Sequence, residues 1–219
     1  MSQLSPKILL IDTSAIDCTV AISEGEKILV SSTIKIKKFH DRLLAEFTRR
    51  ALSDLDLEVK DLDAVAISSG PGSFTGLRIG ASFAKGLTIG EYPKLISLPT
   101  LQLYSIQNEN LTKITHKKSI TSLITANSGM FYLQNFDLYS NPLNDADFIS
   151  KDQFQYDPNT HYCGDDKKLE SILNIPLETS LLLPESLAKC AYRMFALNNF
   201  QKSEEFEPIY IQEFVFKSK

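Results

Sequence analysis

Residues 66–87, Ala-Ile-Ser-Ser-Gly-Pro-Gly-Ser-Phe-Thr-Gly-Leu-Arg-Ile-Gly-Ala-Ser-Phe-Ala-Lys-Gly-Leu, constrain this chain more than any other stretch. The apolar run at 64–67 reads as a buried strand. Gly70 and Gly72 break it, and Pro71 fixes φ between them. Ser73 suits a helix N-cap. From there Phe74, Leu77, Ala81 and Ala84 recur at helical spacing. The unit is therefore strand, tight glycine loop, helix. Such a loop either offers free amides to an anion or lets strand and helix pack closely. The spacing leaves both readings open. Gly76, Gly80 and Ala84 fall on one face of the helix. Glycine inside a helix costs about 1 kcal/mol relative to alanine. The stripe thus predicts a close neighbour, either within the fold or across a subunit interface.

The rest of the chain reads as α/β, in two lobes with mixed sheets flanked by helices. Strands are expected at 7–12, 18–23, 27–37 and 94–98, and an amphipathic helix at 40–55 with Leu43, Leu44, Phe47, Ala51 and Leu52 on its apolar face. A helix at 101–108 precedes a polar stretch, 108–118, that reads as a linker. This divides the chain into lobes 1–104 and 105–219. The second lobe opens with a hairpin, 119–126 and 130–138. After a weakly patterned segment at 145–156 come a strand at 161–165 and a helix at 166–173. A last helix near 185–197 is expected to pack back on the first lobe.

A hydrophobic content of 43% supports a core, and a net charge of −4 argues against the chain gripping nucleic acid alone. No apolar run approaches the roughly 20 residues of a membrane helix. Residues 1–15 lack the pattern of a signal peptide. Cys18, Cys163 and Cys190 form neither a disulfide framework nor a zinc pattern. A cytoplasmic protein with reduced thiols is expected. His161 and Cys163 lack a further ligand or base at useful spacing.

Ser-Ser-Gly-Pro-Gly-Ser-Phe-Thr-Gly-Leu-Arg-Ile-Gly at 68–80 resembles the signature of the TsaB family, and Ile-Leu-Leu-Ile-Asp-Thr-Ser at 8–14 agrees with it. The first hundred residues carry most of the resemblance. It implies two actin-like lobes and a part in making threonylcarbamoyladenosine at position 37 of tRNA. The implied part is that of a non-catalytic scaffold or activating subunit. It would pair with the transferase TsaD and with the ATPase TsaE, reach tRNA through that complex, and form a homodimer when alone. Asp12, Thr13, Gly70 and Gly72 would make at most a weak site for ATP or ADP, with no cofactor required. The catalytic relative holds a metal with two histidines four apart; here His40 is followed by Leu44. Where the family usually carries Asp-Ala-Arg, this chain has Thr125-Ala126-Asn127. Neither catalytic nor metal-binding residues are therefore expected. The implied interface joins Leu43 and Phe47 to Phe74, Gly76, Leu77, Gly80 and Ala84. The basic residues Lys35, Lys37, Lys38, Arg42, Arg49 and Arg50 read as a solvated face or as part of a tRNA surface. Residues 208–211 resemble the family's Pro-x-Tyr-Leu segment near the C-terminus. The alternative class is an enzyme, a small-molecule kinase or a glycoprotease-like hydrolase of the same superfamily.

Overall fold

The computed structural model describes residues 5–35, 40–90, 92–126 and 129–209, with only the backbone described at 40–42. β1 (Lys7–Asp12), β2 (Asp17–Glu24) and β3 (Lys27–Lys35) form an antiparallel meander. After α1 (His40–Ser53), β4 (Ala64–Gly70) joins β1 in parallel. α2 (Phe74–Leu87) then leads to β5 (Lys94–Pro99), parallel to β4, and closes a sheet of order β3-β2-β1-β4-β5. α3 (Thr100–Ile114) carries the chain to a second sheet. This sheet has the order β10-β9-β6-β7-β8, from β6 (Ser119–Thr125), β7 (Met130–Phe136), β8 (Asp147–Ser150), β9 (Thr160–Gly164) and β10 (Glu178–Thr179). α4 (Lys168–Leu173) and α5 (Pro184–Ala196) complete the chain's main elements.

The layering follows from which strands are apolar on both faces. Ile8 and Leu10 of β1 point one way, Leu9 and Ile11 the other, and all four are fully buried. The Leu9–Ile11 face packs under α1 and α2. The opposite face packs on α3 and α5, which in turn meet Ile120, Ile124 and Phe136 of the second sheet. α4 covers the far side of that sheet through Leu169 and Leu173. One core thus runs from sheet to sheet through α3 and α5.

One expectation fails here. The polar stretch 108–118 is not a linker: α3 continues to Ile114, so a boundary at 104/105 falls inside a helix. Polarity misled because these groups are buried and satisfied. Asn108 Nδ2 donates to the Tyr104 carbonyl and Thr112 Oγ1 to that of Asn108. Glu109 is 2% exposed and takes Lys189 Nζ at 2.7 Å and Arg193 at 2.8 Å, both from α5. The weakly patterned segment at 145–156 contains β8, an edge strand with no fully buried residue. Residues 36–37 of the third strand lie outside the described residues.

Candidate functional site

The C-terminal ends of β1 and β4, the glycine loop and the start of α2 face the second sheet across a cleft of about 840 Å³. Residues 14–17 of the β1–β2 turn line one wall, and Ile124, Thr125, Asp165 and Asp166 the other, with Tyr104 of α3 between them. This is where an open sheet with parallel strands binds ligands.

The glycine loop resolves in favour of close packing. Gly72 presses on the Ser14 carbonyl, which leaves no room for a Cβ, and Ser73 N donates to that same oxygen at 2.6 Å. Gly70 has φ +104°, a conformation that side chains rarely adopt. Ser73 caps α2 by accepting from Gly76 N.

The small-residue stripe corrects part of the expected interface. A Cβ at Gly76 would meet the Thr13 carbonyl, and one at Gly80 would meet Thr13 Oγ1 and Ile67 Cδ1. Leu77 and Ala84 are buried on the same side. The stripe therefore serves the approach of α2 to its own sheet, where Gly76, Leu77, Gly80 and Ala84 are buried within the chain. The partly buried apolar side chains of α1 and α2 are Leu43, Phe47, Phe74, Ile79, Phe83 and Leu87; of these Phe47, Ile79, Phe83 and Leu87 also pack against the core beneath, and Ile79 lines the cleft.

Asp12, Thr13, Gly70 and Gly72 do come together, but Asp12, Thr13 and Gly70 bond to neighbouring residues, while Thr13 Oγ1 is buried with no hydrogen-bond partner among the described residues. Asp12 is 3% exposed, and its Oδ1 accepts from Ser14 N at 2.9 Å. Thr13 N donates to Ser68 Oγ and Gly70 N to Thr100 Oγ1. Sequence reading missed Asp17, Tyr104 and Asp165. Asp165 Oδ1 accepts from both Thr125 N and Thr125 Oγ1 at 2.9 Å. Desolvation by the surrounding walls of the cleft raises its carboxyl above the usual range despite those bonds, although the residue stays exposed to solvent. Burial, with the carboxylates of Asp165, Asp12 and Asp17 around it, likewise raises the Tyr104 phenol. The one available signal was a Gly-Asp pair at the end of a strand, Gly164-Asp165.

Cys163 is fully buried, and burial pushes its thiol up to about 12, so it holds no thiolate near neutral pH. His161 Nε2 meets Asn108 Oδ1 at 3.3 Å, and burial lowers its pKa. Among the described residues no three His, Cys, Asp or Glu side chains are grouped to hold a metal ion, and no helix is long and apolar enough to cross a membrane. Of the basic residues on or before α1, Arg49 pairs with Glu46 at the surface. The side chain of His40, together with Lys37, Lys38, the side chain of Arg42, Asn127 and residues 210–211, lies outside the described residues. Ile209 N donates to the Ser69 carbonyl at 2.7 Å, so the described half of the 208–211 segment lies against the end of β4.

Residues 27–164 match the TsaD family, described as tRNA N6-adenosine threonylcarbamoyltransferase. The chain belongs to the TsaD family. Its relatives by sequence include the tRNA threonylcarbamoyladenosine biosynthesis protein TsaB of Buchnera aphidicola from Schizaphis graminum, 33% identical over 129 residues. That match covers 59% of this chain and 60% of the relative. The TsaB of Escherichia coli is 24% identical over 94% of each chain. The chain thus spans less than two thirds of the first of these, and nearly all of the second. Among solved structures, YeaZ from Pseudomonas aeruginosa superposes with a TM-score of 0.80 at 20% identity, over 94% of this chain and 99% of that one. A component of an Acidaminococcus fermentans dehydratase gives a TM-score of 0.52 at 8% identity, over 89% of this chain and 100% of that one. These likenesses place the fold of this TsaD-family chain among two-lobed actin-like proteins.

Proposed function

We propose that the chain acts in tRNA threonylcarbamoyladenosine biosynthesis as a non-catalytic partner of TsaD, and through that pair works with the ATPase TsaE and with tRNA. The observation that carries this reading is the state of the cleft. A transferase or kinase of this fold must hold a nucleotide's phosphates or a metal, whereas here the amides of Thr13, Ser14, Gly70, Ser73 and Thr125 are taken up by Ser68, Asp12, Thr100, the Ser14 carbonyl and Asp165. Nucleotide binding by the isolated chain is accordingly weak. The family membership and the TsaB names of its relatives supply the pathway.

The pairing surface is the outer face of α1 and α2, which pack side by side on the first sheet. Leu43 and Phe74, with the accessible edges of Phe47 and Phe83, which also pack on the core beneath, give it an apolar centre. A stable pair buries about 1,600 Å² in total, with aromatic anchors dominating the energy. Phe47→Asp places a charge in that centre and is expected to weaken pairing with TsaD at least about tenfold, that is by about 1.4 kcal/mol. Calorimetric titration of the two purified chains measures it. Wild-type affinity in a folded Phe47→Asp chain excludes this face and leaves the pathway assignment standing.

A further inference from the structure

We propose that the chain pairs with a second copy of itself along the open edge of the first sheet, β3 against β3, antiparallel about a two-fold axis at Ser32. This edge is a different surface from the outer face of α1 and α2, and the proposal does not depend on the pairing with TsaD.

The two sheets end in β3, β5, β8 and β10, and three of these edges are closed or short. β5 is met by Gln201, whose N donates to the Leu95 carbonyl at 2.8 Å. β8 has four residues and β10 two. β3 has nine. Among the described residues no backbone hydrogen bond joins β3 to anything but β2. In an antiparallel strand alternate residues turn both N–H and C=O to the same side. Half of the β3 backbone groups therefore point away from β2, and such a row is a template for another strand.

The side chains say which strand fits. A two-fold axis normal to the sheet keeps each face continuous, so residues set opposite one another come from the same side of β3. Val30 and Ile34 pack on the core under α1, while Ser31, Thr33 and Lys35 are exposed. With the axis at Ser32, Val30 of each copy faces Ile34 of the other, Ser31 faces Thr33, and Ser32 faces itself. Apolar β-branched pairs and hydroxyl pairs are favourable neighbours across strands. Lys35 falls opposite Leu29, the extra residue of a bulge in which Val30 pairs with Ile22 and Ile28 with Ser23. Moving the axis to Ser31 would set Lys27 against Lys35, and like charges directly opposite are destabilising. Moving it to Thr33 would shorten the ladder. The edge is thus complementary to itself in one register. A ribbon of this length buries less than the roughly 1,200 Å² of a standard interface, so the pair is weak and depends on concentration.

Sedimentation equilibrium of the intact chain from about 1 μM to about 1 mM tests the proposal. The wild type is expected to pass from monomer to dimer with a Kd of about 10–100 μM. Ser32→Lys and Ser32→Asp each set like charges on the axis and should raise that Kd at least about tenfold. An equimolar mixture of the two should pair as a heterodimer, which a damaged fold would not do. Should either variant melt well below the wild type, the same substitutions at Ser31, exposed and diagonal to its own copy across the axis, give the same readout. Phe47→Asp, on the helical face, should leave self-association unchanged. A chain still monomeric at about 1 mM, single variants that pair as well as the wild type, a mixture that pairs no better than its components, or a dimer dissolved by Phe47→Asp would each overturn it.

Discussion

Glu109→Ala lowers the stability of the chain by about 3–5 kcal/mol, the range for breaking a buried ion pair from one side. For a chain of this size that is a fall in melting temperature of about 6–20 °C. Glu109 sits in the middle of α3 with its side chain 3% exposed, while Lys189 and Arg193 of α5 are about one-third exposed. Its removal leaves two cations facing a low-dielectric core. Arg193 Nη1 also donates to the Tyr139 carbonyl at 2.9 Å, so the same guanidinium ties α3 to the turn after β7. Burial pushes the Glu109 carboxyl up, but the bonds from Arg193 and Lys189 outweigh it and hold the carboxyl below its ordinary 4.5. A lowered folded pKa means that the pair stabilises fully above the unfolded value and loses its effect as pH falls through the folded one. The gap in melting temperature between wild type and Glu109→Gln should therefore be full at pH 7 and shrink as pH falls below about 4.5. Thermal melts followed by circular dichroism measure both. A loss of under about 1 kcal/mol at pH 7 would place this pair with weak surface bridges.

Gly80→Arg is expected to leave no stable folded chain. Even a Cβ at this position meets Thr13 Oγ1 and, at 2.8 Å, Ile67 Cδ1. Overpacking by a methylene or two costs about 1–3 kcal/mol. Arginine adds a long stem and a guanidinium that has no partner beneath α2, a burial that costs several kcal/mol more. The sum rivals the total stability of an ordinary domain, about 5–15 kcal/mol. Gly80→Ala should cost less, about 1–3 kcal/mol before the roughly 1 kcal/mol gain in helix propensity. Soluble yield and melting temperature separate the cases. A Gly80→Arg chain that melts near the wild type and fails only to pair would show that the stripe faces a partner after all.

The first half of the fold was legible because its signals are local. β1 and β4 are continuous apolar runs, and Gly70 to Ser73 mark the end of one element and the start of the next. The stripe on α2 announced a close neighbour, but which backbone approaches depends on where Thr13 lies after β1 has paired with β4. α3 was cut short because Asn108, Glu109 and Thr112 look like solvated residues until their partners are known, and those of Glu109 lie on α5. Asp165 was invisible for the same reason: it reaches Thr125 only through the parallel pairing of β6 with β9. The missing residues of the candidate site were those whose role is set by contacts distant in sequence.

The proposed role is a part in threonylcarbamoyladenosine formation without chemistry of the chain's own. Depleting the chain in its native cells and quantifying the modified nucleoside in digested tRNA by mass spectrometry tests it most directly. The modification should fall to a small fraction of its normal level and return when the chain is restored, while Phe47→Asp fails to restore it. Undiminished threonylcarbamoyladenosine after complete depletion would contradict the account.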